Sequence, residues 1–377
     1  MRIGIDLTAL WRPATGMENL ALEMAQALLR IDSKNQYTLF FCGAVHPAFE
    51  QFDGRYIPVL APVAHEALLK NLWFPPMASA AKLDYLHFPV FPPPLWSTSV
   101  KGWTVHDATP WMFPDTMNFT SRWYFRILSR QAARSSRVMF TVTESARDDI
   151  VRHLHIPIER LHVIYPGVRP IFQVSRDLAA FERVRQRYGL PEKFILFVGT
   201  LQPRKNLRRL LQALRVLRIE RGFQPALAIV GRKGWLCDSI LSELADESLE
   251  KSVIVTGYVP DSDLVVLYNM AHLLAFPSLY EGFGLPCIEA MACGCPLVTS
   301  NRGALREVGG DSALYADPED VRAIAQAVWE ASENQPLREQ LIDRGLRRVG
   351  AFSWDRHAEQ LLGTLERVVF GSNGSQA

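Results

Sequence analysis

The residues best equipped for chemistry lie in one stretch, 277–296, PSLYEGFGLPCIEAMACGCP. Glu281 and Glu289 stand on either side of a glycine loop, and each carboxylate accepts two hydroxyl hydrogen bonds at once. Gly282 and Gly284 let the backbone fold tightly and approach a ligand. Pro286 suits the first helical position, where its missing N–H costs nothing. The pattern predicts a strand end, a loop and a helix over about 286–293 that stops at Gly294. The unpaired N–H groups of that first turn, with the helix dipole, make a seat for a phosphate. Carboxylates bracketing such a seat suit a ligand with vicinal diols on both sides of a phosphate, and a nucleotide sugar is such a ligand.

Two further segments place polar groups where an apolar run gives way to a loop. GTLQPRKN, 199–206, aims Arg204 and Lys205 from the carboxyl end of a strand, where two cations neutralise a diphosphate. His106 and Asp107 hold the same position after Trp103 and Val105, within KGWTVHDATPWMFPD. Other clusters lead away from metals. Cys293 and Cys295 form a C-x-C without the second pair that a zinc site needs. His153, His155 and His162 straddle a helix end and a strand start, with no Cys or carboxylate at ligand spacing. Asp261-Ser262-Asp263 follows Pro260 and opens a helical run to Met270. It therefore reads as an N-cap at Asp261 and a dipole-favouring Asp263, not as a metal-binding D-x-D. No metal requirement is expected.

The elements that must position these groups alternate strand and helix. A strand over 1–7 leads through a loop at 11–16 into a helix over about 18–30, and strands follow at 37–42 and 85–88. The proline-rich 89–96, PVFPPPLW, cannot be regular structure. A helix over 121–137 carries Arg122, Arg126, Arg130 and Arg134 four apart, with Trp123, Tyr124, Ile127 and Leu128 beside them. That stripe reads as a solvated basic face over a buried apolar one, or as a contact with an anionic membrane or a lipid diphosphate. After a strand at 138–143, Ser145 or Thr143 caps a helix running to 154. Strands at 194–198, 226–230, 253–256, 273–276 and 297–299, separated by helical patterns, mean βα units and a parallel sheet. Helices over about 318–334, 336–349 and 356–370 and a polar end, 371–377, complete the chain.

At 377 residues the chain suggests two domains, and an apolar fraction of 48% fills both cores. The predicted units are 1–170 with the helix 356–370, and 171–355. A net charge of +2 gives no case for nucleic acid as a partner. Five cysteines set in apolar runs fit reduced thiols and a cytoplasmic setting. With a strand starting at Arg2, no signal peptide is expected, and no apolar run is long enough to span a bilayer.

The E-x7-E from Glu281 to Glu289 around GFGLP closely resembles the signature of retaining glycosyltransferases of family 4, which have the GT-B fold. HDATPWMFP resembles that family's H-D-x-x-P-x-x-F/Y-P segment, and GTLQPRKNL its phosphate-binding loop, with Thr200 where many relatives have Arg. GRKGWLCD (231–238), VIYPGV (163–168) and FSWDRHAEQLL (352–362) are similar to family segments as well. Thr15-Gly16-Met17-Glu18-Asn19 resembles the loop under the donor phosphates, lacking the commoner double glycine. The resemblance implies two Rossmann-like domains facing across a cleft, with the last helix crossing back to the first. It implies transfer of a hexose from a nucleoside diphosphate, most simply GDP-mannose with a UDP-hexose next, to a saccharide or lipid-linked saccharide in surface polysaccharide assembly. No cofactor beyond that donor is implied. Glu281 would face the sugar hydroxyls, His106 the sugar near its reacting carbon and Glu289 the ribose. Gly16 and Thr200 would line the phosphates, and Tyr258 and Val259 the base. Phe283, Gly284 and Leu285 would close the donor loop, while Arg204, Lys205 and the amides of Gly284 and Leu285 meet the charge on the leaving diphosphate. Attack would come from the front face, with the leaving phosphate as base. A nucleotide-sugar epimerase and a non-catalytic sugar-nucleotide sensor are the alternative readings.

Overall fold

The computed structural model describes residues 1–11, 16–62, 69–116, 119–232, 234, 243 and 252–370. The chain divides into two compact units. The first takes Met1–Met112, Asn118–Gly167 and the chain from Ser353 onward; the second takes Phe113–Met117 and Val168–Phe352.

In the first unit seven strands form one sheet: β1 (Arg2–Asp6), β2 (Gln36–Cys42), β3 (Tyr56–Ala61), β4 (Tyr85–Phe88), β5 (Val100–Thr104), β6 (Val138–Thr141) and β7 (Leu161–Val163). Their order is β3-β2-β1-β4-β5-β6-β7, and every pairing is parallel. The short runs RIGID, YLHF and VMFT bury almost every side chain, which is the signature of parallel strands covered on both faces. The helix Gly16–Ile31 buries Leu20, Met24 and Leu28 on one stripe. The helix Trp354–Leu365 packs against it through Trp354, Ala358, Leu361 and Leu365, all buried.

The second unit repeats the plan with β8 (Phe194–Val198), β9 (Ala226–Val230), β10 (Val253–Gly257), β11 (Leu273–Phe276), β12 (Leu297–Ser300) and β13 (Ala313–Ala316), in the order β10-β9-β8-β11-β12-β13, again wholly parallel. The helix Leu207–Arg221 lays Leu210, Leu211, Leu214 and Leu217 on Phe197, Leu227 and Ile229. In each sheet the strand order reverses once, between β1 and β4 and between β8 and β11. Loops leaving the carboxyl ends of such neighbours are where open α/β sheets hold ligands.

Two edge strands escape the sequence reading. YIPVLA in β3 contains Pro58, which only an edge strand tolerates, and ALYA in β13 has four residues. The family-like segment VIYPGV begins at the last residue of β7, and the chain leaves the sheet before Pro166 and Gly167. The polar end 371–377 and Cys237 lie outside the described residues, while Cys42, Cys287, Cys293 and Cys295 are buried thiols outside any disulfide.

The first unit's core holds two histidines that no charge compensates. His87 sits between the Tyr85 and Thr104 hydroxyls at 2.8 and 3.0 Å, and His357 donates from Nδ1 to the Tyr165 carbonyl at 3.0 Å. Burial pushes them down to about 3 and about 4 from an ordinary 6.5. Both are therefore neutral in the fold and protonated in the unfolded chain over a shared window from about 6.5 to about 4. There the unfolded state binds more protons, so stability falls as pH falls, by ~1.4 kcal/mol per pH unit for each group at full linkage. Urea unfolding between pH 7.5 and 4.5 should show this decline, and His357→Gln should flatten it by one group's share; an unchanged slope in the variant contradicts the assignment.

Candidate active site

In the second unit the loops after β8 and β11 meet at the strand-order reversal. Pro203–Lys205 forms a single 3-10 turn, and Asn206 follows in the left-handed region with φ 61°. Asn tolerates that conformation, and here its side chain clamps the loop instead of capping the next helix. Its amide donates to the carbonyls of Pro277 and Pro318 at 2.9 and 2.6 Å, while Leu279 N–H donates to the Arg204 carbonyl at 2.9 Å. The two loops are thus sewn together by one side-chain amide and one backbone bond before any charge is counted.

That sewing places Glu281 between two cations. Arg204 Nη1 donates to Glu281 Oε2 at 2.9 Å and Lys205 Nζ to Oε1 at 2.7 Å, with all three side chains at least 86% buried. Arg204 also holds the Tyr280 carbonyl, and the Lys205 ammonium lies 5.1 Å over the Phe276 ring. Burial alone would raise the Glu281 carboxyl, but Arg204 and Lys205 outweigh it and hold it at about 2, below the ordinary 4.5. Burial pulls the Lys205 ammonium down, against the opposing attraction of Glu281.

Glu289 is a separate arrangement. It lies in the second turn of the helix Leu285–Ala292 and accepts from the Tyr268 hydroxyl at 3.0 Å and from Arg169 Nη2 at 3.5 Å. Arg169 also grips Asp261 through both nitrogens, at 2.5 and 3.2 Å, and stacks on Phe172. Burial pushes the Glu289 pKa up, and Arg169 and Tyr268 work against it. Arg169 and Tyr268 escape the sequence reading because their partners are remote in the chain; the only local sign is an arginine directly after YPGV. Asp261 is not the N-cap expected of it. Pro260 occupies that position, Asp261 is the first helical residue, and buried Asp263 pairs with Arg183, Arg187 and the Tyr188 hydroxyl. Both aspartates thus anchor arginines, which is why the D-x-D spacing carries no ligand logic of its own.

Gly284 takes φ +96° at the helix N-cap, and a Cβ there would meet Leu305 Cδ2 at 2.6 Å, so only glycine fits. Phe283 is buried edge-on against Phe352, and half-buried Leu285 opens the helix. Across the sheet, Gly231 lets the β9 loop pass so close to the β8 loop that a Cβ would lie 2.0 Å from the Gly199 carbonyl oxygen. Half-buried Thr200 sits in this crossing, Val259 is buried, and Tyr258 is exposed with the Arg232 guanidinium 4.6 Å over its ring. The rest of GRKGWLCD beyond Arg232, apart from Gly234, lies outside the described residues.

His106 and Gly16 belong to the first unit. His106 follows β5, and its Nε2 lies 2.6 Å from the Pro89 carbonyl oxygen just after β4. A carbonyl only accepts, so Nε2 carries the proton. Burial lowers the His106 pKa against the pull of Pro89, Asp107 and Glu18. The imidazole is then neutral, with Nδ1 left as an acceptor. Gly16 starts the helix Gly16–Ile31 and is exposed, while Thr15 lies outside the described residues. His153 stacks on Trp111, and among the described residues no cluster of His, Cys, Asp or Glu could hold a metal ion. A cavity of about 730 Å³ beside β7, lined by Arg147, His162, Glu359 and Arg367 among others, includes none of the site residues.

Comparison with known proteins follows the division into units. The family model described as Glycosyltransferase Family 4 matches residues 14–171, and that described as Glycosyl transferases group 1 matches residues 180–348. O-antigen chain mannosyltransferase B of Escherichia coli is 35% identical over 261 residues, 69% of this chain and 68% of that protein. Serotype-specific mannosyltransferase WbdA of Escherichia coli is 31% identical over 244 residues, 63% of this chain but 30% of that protein. Among solved structures, Anabaena Alr3699/HepE in complex with UDP-glucose superposes with a TM-score of 0.76 at 17% identity, over 97% of this chain and 99% of that one.

The buried triad makes a sharp energetic prediction. Glu281→Gln leaves two buried cations around a neutral amide and should cost ~3–5 kcal/mol of unfolding free energy in urea. Arg347→Gln, which breaks the exposed Arg347–Asp343 pair, should cost less than about 1 kcal/mol. Equal effects would mean that burial does not decide the worth of the triad.

Proposed function

The chain belongs to the group 1, family 4 glycosyltransferases, and from that footing we propose that it moves mannose from GDP-mannose onto a saccharide acceptor, retaining the anomeric configuration and needing no metal. The observation that carries this reading is Glu281 held between Arg204 and Lys205 at the strand-order reversal. A carboxylate with two bonds from cations keeps lone pairs for sugar hydroxyls, and the same two cations face a diphosphate beside it. The names of the Escherichia coli relatives support mannose as the sugar.

In the reaction the bond between the anomeric carbon and the diphosphate oxygen breaks, and an acceptor hydroxyl oxygen forms the new bond on the same face. Its proton passes to the leaving phosphate oxygen. Negative charge grows on the diphosphate, where Arg204, Lys205 and the amides of Gly284 and Leu285 stabilise it as it develops. Positive charge spreads over the sugar ring. His106, neutral and fixed by Pro89, offers Nδ1 to a sugar hydroxyl without repelling that charge. Glu289, oriented by Arg169 and Tyr268, takes the ribose hydroxyls, and Tyr258 and Val259 border the base. Gly16, Thr200 and Phe283 shape the donor's surroundings. The acceptor is a lipid-linked saccharide of surface polysaccharide assembly, met on the cytoplasmic face of a membrane; the O-antigen relative supports this class.

Thermal shift against GDP, UDP, GDP-mannose and UDP-glucose, with chelator present, tests the donor. A ligand specific for the folded state stabilises it by about 2.7 kcal/mol at a hundredfold excess over its Kd, and GDP-mannose should win. Glu281→Ala should abolish transfer while GDP affinity stays within a few fold, since its loss frees both cations for the diphosphate. A UDP-sugar winning, or GDP binding lost in step with transfer, would overturn the assignment.

A further inference from the structure

We infer that Arg232 reads the base of the donor, its guanidinium donating to O6 and N7 of guanine while it rests on the Tyr258 ring. The inference rests on the transfer reading for the kind of ligand bound and adds the residue that selects the nucleotide. Arg232 lies two residues past β9 and Tyr258 one residue past β10, both at the carboxyl end of the second sheet. These strands stand one and two places, about 5 and 10 Å, to the side of β8, whose loop carries Arg204 and Lys205. The backbone at Arg232 is pinned to that loop. Leu201 N–H donates to the Arg232 carbonyl at 3.0 Å, and Gly234 N–H donates to the Leu201 carbonyl at 3.2 Å. Arg169 in turn grips both Glu289, the ribose partner of the transfer reading, and Asp261, three residues beyond Tyr258. Groups suited to phosphate, ribose and base thus stand on loops of one sheet edge.

The Arg232 side chain is exposed, its guanidinium carbon 4.6 Å from the centroid of a Tyr258 ring that is itself 59% exposed. An exposed cation–π contact stabilises a fold only weakly. Among the described residues no carboxylate pairs with Arg232, whereas Arg169, Arg183, Arg187 and Arg204 of the same unit are each held by one. A guanidinium lying on a ring keeps its donors in its own plane, where a flat partner can meet them edge to edge. Bases differ in what they offer such a fork. Guanine presents N7 and O6 side by side, two acceptors at the fork's spacing. In adenine an amino donor stands beside N7, and cytosine carries an amino donor where guanine and uracil have a carbonyl. Uracil sets O4 between a C–H and an N–H, so it satisfies one prong only. Guanine alone accepts from both prongs, and an arginine seated on Tyr258 therefore favours GDP over UDP.

Calorimetric titration of the full chain with GDP, UDP and 7-deaza-GDP, in which N7 is replaced by C–H, tests this. The wild type should bind 7-deaza-GDP about tenfold more weakly than GDP. Arg232→Gln should weaken GDP about ten- to a hundredfold, leave UDP within about threefold and erase the difference between GDP and 7-deaza-GDP, with the melting temperature of the unliganded chain unchanged. Arg232→Lys keeps the positive charge but not the fork, and should still lose most of the preference for GDP, which a purely electrostatic role would preserve. GDP and 7-deaza-GDP binding alike to the wild type, or Arg232→Gln weakening GDP and UDP by the same factor, would overturn the assignment and leave the transfer reading standing. Intact discrimination against 7-deaza-GDP in a chain that transfers no mannose from GDP-mannose would sink the transfer reading and keep Arg232 as the base reader. UDP bound more tightly than GDP would overturn both.

Discussion

Glu281 lies buried between the guanidinium of Arg204 and the ammonium of Lys205, and a buried ion of either sign left without its partner costs several kcal/mol. Everything around it serves to keep that meeting intact. The β8 and β11 loops must arrive together, so Asn206 bridges the carbonyls of Pro277 and Pro318, and the Arg204 carbonyl receives the Leu279 N–H. The neighbouring β9 loop must not push the β8 loop away, so Gly231 passes where no side chain could. Parallel β8 and β11 are adjacent only because the sheet order reverses between them. Topology, backbone hydrogen bonds and a missing Cβ thus converge on one ion triad.

The buried groups described above are settled in two ways. In the second unit Glu281, with its two cations, and Asp263, with Arg183 and Arg187, stay charged and matched. In the first unit His87, His106 and His357 stay neutral, bonded to hydroxyls and carbonyls. The transfer proposed above has use for both settings: fixed charge for the diphosphate, and polar contact without added positive charge for the sugar.

Much of this was legible in the sequence because short apolar runs punctuated by glycine loops fix a parallel α/β plan almost residue by residue. The strands at 194–198, 226–230 and 273–276 coincide with β8, β9 and β11. Glu281, Arg204 and Lys205 were legible too, since each sits in a loop that directly follows such a run. Arg169 and Tyr268 were not, because an ion pair or hydrogen bond across many residues leaves no periodicity. Asp261 misled for a related reason: a helix-opening aspartate looks like a cap until its remote partner is known. For Trp123 and Ile127, which the structure leaves exposed, the sequence kept two readings open, because amphipathic spacing shows which residues share a face, not whether that face is covered.

The helix Trp354–Leu365 completes the core of the first unit, against the helix Gly16–Ile31, although the 185 residues of Val168–Phe352 intervene in the chain. During synthesis at roughly 5–20 residues per second, the earlier part of that unit must wait on the order of ten to forty seconds for its last helix. The apolar groove destined for Leu361 and Leu365 stays open for that interval, while the second unit, largely continuous in sequence, can already have closed. The N-terminal half of this enzyme is therefore the later one to finish folding, and it is the half with the greater need of a chaperone at the ribosome.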